Sequence, residues 1–194
     1  MSTELKMKKL LFVTSNSGKL LEVQSILQPL GFAVDSINLE LTEIQGDQAQ
    51  VAKHKALEAR KTVSDSLVVE DTGWYFEAYG NFPGILARQM AQSIGIDGLL
   101  KLLEEKSHSA YVLTIAAFLP AGETEPLLFT GKCSGQITQN KTEAHPRLPY
   151  DSIFIPNGGN CTFGQMTQEE INKYSARRKA FEELANYLIK HKKE

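Results

Sequence analysis

Cysteine is scarce in this chain: Cys133 and Cys161 are the only two among 194 residues. They stand 28 positions apart with no clustered histidines beside them. That spacing excludes an ordinary zinc ligand set and offers no disulfide framework, so two reduced thiols and a cytoplasmic compartment are expected. An excess of one charge sign is missing too. Lys and Arg total 21 against 23 for Asp and Glu, a formal charge of −2, so no overall basic field exists to grip a polyanion, and a nucleic-acid partner is not expected. Apolar runs are only a few residues long, and Met1 to Lys9 mixes charge with polarity rather than leading into a hydrophobic stretch. The chain is therefore expected to be soluble, not exported, and without a membrane partner. Internal repeats and low-complexity linkers are also absent. With 42% hydrophobic and 23% charged residues, the composition suits one globular domain or two closely packed lobes.

Hydrophobic spacing sets out the elements. Lys9 to Thr14 is a short apolar run of the kind a buried strand shows. After it, Leu20, Val23, Leu27 and Leu30 form a helical stripe that Pro29 and Gly31 end. Phe32 to Ile37 reads as a second strand. Ala52, Ala56, Ala59 and Val63 mark a second helix, and Ser66 to Val69 is a strand-like run ending at Glu70 and Asp71. Strand and helix alternate, as in an α/β layer. Further on, Gly95 to Lys106 reads as a short helix with Leu99, Leu102 and Leu103 inward. Tyr111 to Leu119 and Leu127 to Thr138 read as antiparallel strands about a turn at Pro120 to Glu123. Asn140 to Pro149 is polar with two prolines, a loop or lid. Thr167 and Glu170 form a capping-box pattern, and Phe181, Leu184, Ala185 and Leu188 give the buried face of a last helix. Lys190 to Glu194 reads as a solvated tail. The layout is a mixed sheet flanked by helices.

Chemistry concentrates at two strand ends. Thr14-Ser15-Asn16-Ser17-Gly18-Lys19 lies where a strand gives way to a helix, where free N–H groups, a positive dipole end and a lysine suit a phosphate. It is not a Walker A loop, because the earlier glycine is missing and Leu20 follows Lys19. A polar helix-capping turn would read the same way. Glu70-Asp71-Thr72-Gly73 follows a strand, and two carboxylates there are placed to hold a hard divalent cation or orient a water, although a plain acidic turn looks alike. Glu43 adds a carboxylate from an irregular connection. Lys55 borders the inward stripe of its helix, as either a snorkelling lysine or a cation for phosphate. Ser175-Ala176-Arg177-Arg178-Lys179 groups three cations on a helical region, where a solvated face would serve equally.

In this order the motifs resemble the inosine triphosphate pyrophosphatase family, whose members hydrolyse non-canonical purine nucleoside triphosphates to monophosphate and pyrophosphate. The likeness covers nearly the whole chain, so residues 1–194 are expected to form one such domain. The family's T-x-N-x-x-K is present as Thr14, Asn16 and Lys19, and its E-D-[ST]-G as Glu70 to Gly73. Its L-G-G-x-P-G looks like Tyr79-Gly80-Asn81-Phe82-Pro83-Gly84, and its S-H-R-x-K-A like Ser175 to Ala180 with Ala176 at the histidine. The resemblance implies an elongated mixed β-sheet flanked by helices, with two lobes around a central nucleotide cleft, and a homodimer. It implies Asp71 as the water-activating base and as a Mg²⁺ ligand together with Glu43 and Glu70. Thr14, Ser15, Asn16, Lys19, Lys55 and Thr72 would hold the triphosphate, with Lys19 also neutralising charge during the reaction. Leu148, Tyr150, Asp151, Ser175 and Arg177 would take the rest of the substrate.

Departures gather on the base-selecting side. G-F-G-[YW]-D-P is replaced by Arg147-Leu148-Pro149-Tyr150-Asp151-Ser152, so a stacking ring gives way to Leu148, a loss of roughly 1 to 3 kcal/mol. Ala176 lacks the imidazole donor, and Ile171 stands where the family has a lysine. The expectation is Mg²⁺-dependent pyrophosphate release from a triphosphate of the ITP, dITP or XTP kind. A pyrophosphatase for another base, and a nucleotide-binding protein with lost turnover, are the alternatives.

Overall fold

The computed structural model describes residues 8–143 and 149–191. Seven strands form one mixed sheet: β1 (Lys8–Val13), β2 (Phe32–Ile37), β3 (Leu67–Phe76), β4 (Phe82–Gly84), β5 (Ser109–Leu119), β6 (Leu127–Ile137) and β7 (Phe154–Pro156). Their hydrogen-bonded order is β2-β1-β3-β5-β6-β7, with β4 on β3. β1 is parallel to β2 and β3, whereas β4 and β7 run antiparallel to β3 and β6. The helices are α1 (Ser17–Leu27), α2 (Gln48–Arg60), α3 (Ala87–Leu102), α4 (Gln168–Tyr174) and α5 (Ala176–Lys190). Among the described residues no helix is long and apolar enough to cross a membrane. The mixed sheet flanked by helices that the periodicity indicates is the architecture observed.

The chain divides into two compact units. The first comprises residues 1–71, 114–131 and 177–194, the second 72–113 and 132–176. In the first unit Leu10 and Phe12 of β1, Val34 of β2 and Val68 of β3 pack with Val23, Ile26 and Leu27 of α1 and with Ala180, Phe181 and Leu184 of α5. Phe12 meets Phe181 edge-on at 5.6 Å. Because side chains alternate along a strand, the equally buried Val13, Leu67 and Val69 project from the other side of β1 and β3. Leu67 to Asp71 is accordingly an unbroken buried run, as a parallel strand with both faces covered requires. The Arg60 guanidinium donates to the carbonyls of Val63, Asp65, Leu119 and Pro120, each at 2.8 Å, which fastens the end of α2 to the strand that follows and to the turn after β5.

The second unit has its own core, in which Phe76, Leu99, Leu103, Val112, Ile153, Phe154 and Ala176 are buried. Tyr150 lies within it, stacked on Trp74 at 5.0 Å with its hydroxyl donating to the Ala87 carbonyl at 2.7 Å.

Four expectations need correction. Glu70 to Gly73 is not a turn but the middle of the ten-residue β3, whose pairing with β4 at Trp74↔Gly84 to Phe76↔Phe82 keeps it extended. α1 ends at Leu27, so Leu30 falls in a 3-10 turn and is exposed. α3 begins at Ala87 and changes direction at Gly95 (φ 68°, ψ 178°), a backbone conformation open to glycine, and Leu102 turns outward. The last helical region is two helices, with Thr167 and Glu170 capping α4 reciprocally and Ser175 breaking the run before α5. The segment 140–149 is irregular at residues 140–143 and its centre, with Leu148, lies outside the described residues.

Two stability measurements follow. Phe181→Ala should lower the unfolding free energy by about 3 to 5 kcal/mol in urea titrations, as a large-to-small change in a closed core does. Burial raises the Tyr150 phenol above its ordinary value, so the fold accepts only the neutral ring. Tyr150→Phe should cost about 1 kcal/mol at neutral pH for the lost hydrogen bond. The deficit should shrink above about pH 10, where the unfolded wild-type phenol ionises and the folded one resists.

Candidate active site

The site is built on two consecutive residues of β3. Glu70 and Asp71 are both buried, and a buried carboxylate is costly unless charge or donors meet it. Alternation sends them to opposite faces, and each face answers with its own cations.

On the Glu70 side, α1 is aimed by its first turn. The Thr14 amide donates to Ile37 O, and the Asn16 amide to Thr14 Oγ1. Asn16 is the N-cap, its Oδ1 accepting from the Lys19 amide at 3.1 Å. The capping turn expected of this motif is present, and Ser15 and Asn16 are exposed at the helix start. Lys19 Nζ lies 3.0 Å from Glu70 Oε1. Arg177, at the start of α5, donates to the same carboxylate through Nε at 2.6 Å and Nη2 at 3.1 Å, and through Nη1 to Glu22 at 2.5 Å. Burial would lower the Arg177 guanidinium, but Glu70 and Glu22 outweigh it and hold the group above its ordinary value.

On the Asp71 side, α2 starts from a capping box between Asp47 and Gln50. Gln48 donates to the Asp71 carbonyl at 2.9 Å. Two turns further along, Lys55 Nζ reaches Asp71 Oδ1 at 2.8 Å and Glu43 Oε1 at 2.9 Å. Burial would depress the Lys55 amine, but Asp71 and Glu43 together raise it. Glu58, also on α2, accepts from the Thr42 amide at 2.6 Å and its hydroxyl at 2.9 Å, fixing the connection that presents Glu43. Those bonds hold the Glu58 carboxyl below its usual range.

Among the described residues two buried side-chain atoms have no hydrogen-bond partner, the donor Arg60 Nε and, in the site, the acceptor Asp71 Oδ2. Orphaned buried acceptors are rare and call for a reason. Glu43, at 57% side-chain exposure, lies across the Lys55 amine from it.

Lys19, Lys55, Glu43, Glu70, Asp71, Thr14, Ser15, Asn16 and Arg177 therefore all belong to the first unit, in two clusters rooted on adjacent residues. Lys19 is not a partner of Asp71: its amine goes to Glu70. Nor are Glu43, Glu70 and Asp71 gathered into one set, since no group of three or more potential metal ligands occurs among the described residues. Thr72, Tyr150, Asp151 and Ser175 belong to the second unit. There Tyr150 is spent in packing, Ser175 is buried at the end of α4, and Thr72 and Asp151 are half-buried. Gln48, Glu22 and Glu58 were not singled out from the sequence. The Asp47-x-x-Gln50 pattern was a readable sign of where α2 starts, but the reach of Arg177 across 107 positions to Glu70 leaves no local trace.

The Ham1 family model matches residues 10–187. A dITP/XTP pyrophosphatase of Hyperthermus butylicus is 36% identical over 181 residues, covering 92% of this chain and 94% of the relative. An inosine triphosphate pyrophosphatase of Yarrowia lipolytica is 36% identical over 180 residues, 91% and 94% of the two chains. Among solved structures, the Staphylococcus aureus Ham1 protein superposes with a TM-score of 0.80 over 95% of this chain and all of its own at 22% identity, a likeness of fold. With the family model spanning nearly the whole sequence and relatives matched almost end to end, the chain belongs to the Ham1 family.

Proposed function

We propose that this chain hydrolyses nucleoside triphosphates, of the non-canonical purine kind that the relatives' names specify, to monophosphate and pyrophosphate with Mg²⁺. The observation that carries the reading is the orphaned Asp71 Oδ2 beside Lys55 and Glu43, one strand position from the Glu70 that holds Lys19. The relatives named as dITP/XTP and inosine triphosphate pyrophosphatases support the same reaction.

The residues present fit a magnesium ion. Mg²⁺ is bound through one or two carboxylates plus substrate phosphates rather than by an all-protein cage, and Asp71 with Glu43 is such a pair. Such an ion supplies Lewis-acid polarisation of the phosphoryl oxygens. The chain's own groups do the remainder. Asp71, its Oδ1 fixed by Lys55, presents Oδ2 as acceptor for the proton of the attacking water. Lys55 and Lys19 offset charge on the phosphates as pyrophosphate leaves, a role suited to a point-charge amine, with the triphosphate lying across the carboxyl end of β1, whose register with β3 (Leu11↔Leu67, Phe12↔Val68) stops short of Glu70 and Asp71, so that it meets the cations of both faces. The exposed amides at the start of α1, with Thr14, Ser15 and Asn16, are the phosphate donors. Thr72, Leu148, Asp151 and Ser175 are assigned to the substrate on the family likeness, which also supports residues 1–194 working as one domain, a homodimer and a cytoplasmic location.

A second reading concerns the base. Ala176 carries no hydrogen-bonding side chain and is buried in the second unit's core, which favours a pyrophosphatase with a different or looser base preference. One panel settles bond and base together. With Mg²⁺ and triphosphates of inosine, xanthosine, deoxyinosine and the canonical bases, pyrophosphate should appear and orthophosphate should not. Orthophosphate as the product contradicts cleavage at the α-phosphate, and nucleotide binding without either product makes the chain a binder.

Asp71→Asn should lower turnover by about 10² to 10⁴-fold, the range for removal of a general base, while the triphosphate still binds. Turnover near wild type would assign the base elsewhere. Lys55→Met should destabilise the fold by about 3 kcal/mol, because it strands a buried carboxylate. Since the folded amine is raised, that difference should be complete at neutral pH and fade as pH climbs past about 10.5, as urea titrations at two pH values would show.

A further inference from the structure

The Glu70 carboxylate is heavily committed, and its environment is unlike that of Asp71. Its side chain is 1% exposed, and both oxygens are engaged: Oε1 by Lys19 and by Nη2 of Arg177, Oε2 by Nε of Arg177. Arg177 passes the connection to Glu22, which stands three positions after Lys19 on α1, a neighbour on the same helical face. The four side chains close a ring, Lys19 to Glu70 to Arg177 to Glu22 and back along α1. Two positive and two negative charges sit in it. Only Lys19 reaches appreciably toward solvent, at 28% side-chain exposure, against 14% for Arg177 and 12% for Glu22.

We infer that Glu70 and Arg177 are positioning residues that aim the Lys19 amine, rather than a metal ligand and a substrate contact. A free lysine ranges over four rotatable bonds and loses that freedom on binding. Here the planar Arg177 fork fixes the Glu70 carboxylate bidentately, and the fixed carboxylate fixes Lys19, so much of the ordering is complete before any phosphate arrives. Glu22 closes the ring by holding Arg177 to the same helix that carries Lys19. The chain of contact is therefore α5 to β3 to α1, with Lys19 as its one outlet. This rests on the reaction proposed above, since Lys19 needs aiming only if it meets a phosphate.

The test combines two readouts. In steady-state hydrolysis at saturating Mg²⁺, Lys19→Ala should cost about 10²-fold in kcat/KM and Glu70→Gln about tenfold. The double variant should match Lys19→Ala alone within about twofold, because both changes remove one interaction. The Mg²⁺ concentration for half-activation should be unchanged in Glu70→Gln. In the second readout, trace acetylation of the folded protein with acetic anhydride is followed by mass spectrometry. Lys19 should label severalfold faster in Glu70→Gln and in Arg177→Lys, which keeps the charge but not the fork, while exposed Lys61 labels as in wild type. Arg177→Lys also covers the case in which Glu70→Gln fails to fold. Losses that multiply in the double variant, a Mg²⁺ requirement raised about tenfold as for a metal-site residue, or unchanged Lys19 labelling would each overturn the assignment. If wild type releases no pyrophosphate from any triphosphate, the proposed reaction falls, and the labelling result alone decides whether the ring aims Lys19.

Discussion

Two acids in succession on a strand whose both faces are covered must be neutralised where they stand, and the architecture around β3 follows from that demand. Glu70 and Asp71 cannot share a partner, because the pleat sends them to opposite faces. Each face therefore carries its own helix with its own cation: α1 with Lys19 and α5 with Arg177 for Glu70, α2 with Lys55 for Asp71. A helix that only packed would need an apolar stripe. These also need a fixed start so that a charged side chain, Lys19 in the first turn of α1 and Lys55 two turns into α2, arrives at one place, and the capping by Asn16 and by Asp47 with Gln50 fixes the starts of α1 and α2.

The two neutralisations are not alike. Glu70 is met by a fork and an amine and has both oxygens engaged. Asp71 is met on one oxygen, and the other stays buried without a donor. A sequence selected for stability alone would supply a hydroxyl or amide there, since an unpaired buried acceptor costs about 1 to 3 kcal/mol. Keeping the defect next to a solvent-reaching carboxylate is the pattern of a group held ready for a ligand, in which stability is given up for chemistry.

What the sequence disclosed, and what it hid, divide along the same physical line. Periodicity located α1, α2, β1, β2 and the long β5 and β6, because burial on one face repeats at short range. It misjudged Glu70 to Gly73, since Asp, Thr and Gly in succession carry turn propensity, and only the pairing of Trp74, Tyr75 and Phe76 with β4, a tertiary fact, overrides it. By the family likeness it offered Arg177 as a substrate contact, and by its neighbours as part of a solvated charge run. Neighbours Arg178 and Lys179 invite that reading, and the burial of Arg177 is decided by Glu70 and Glu22, 107 and 155 positions away. Residue types and their order were enough to nominate Lys19, Lys55, Glu43 and Asp71. Which carboxylate faces which cation was not legible, because that depends on strand parity, and parity is settled only once β3 is known to be a strand.

Charge count across the two clusters adds a constraint that neither shows alone. Lys19, Lys55 and Arg177 face Glu22, Glu43, Glu70 and Asp71, three cations against four carboxylates. A bare polyphosphate would meet carboxylates at close range in a partly dry setting, where like charges repel far more than in water. On the proposed reading, a polyphosphate arriving with a divalent cation would bring positive charge to Asp71 Oδ2, a buried acceptor without a partner. On the reading proposed above, the arrangement would favour the metal complex over the free anion, a discrimination made by the acids and not by the lysines. On this view the carboxylates do more than assist the phosphate contacts: they decide which form of the nucleotide those contacts are allowed to hold.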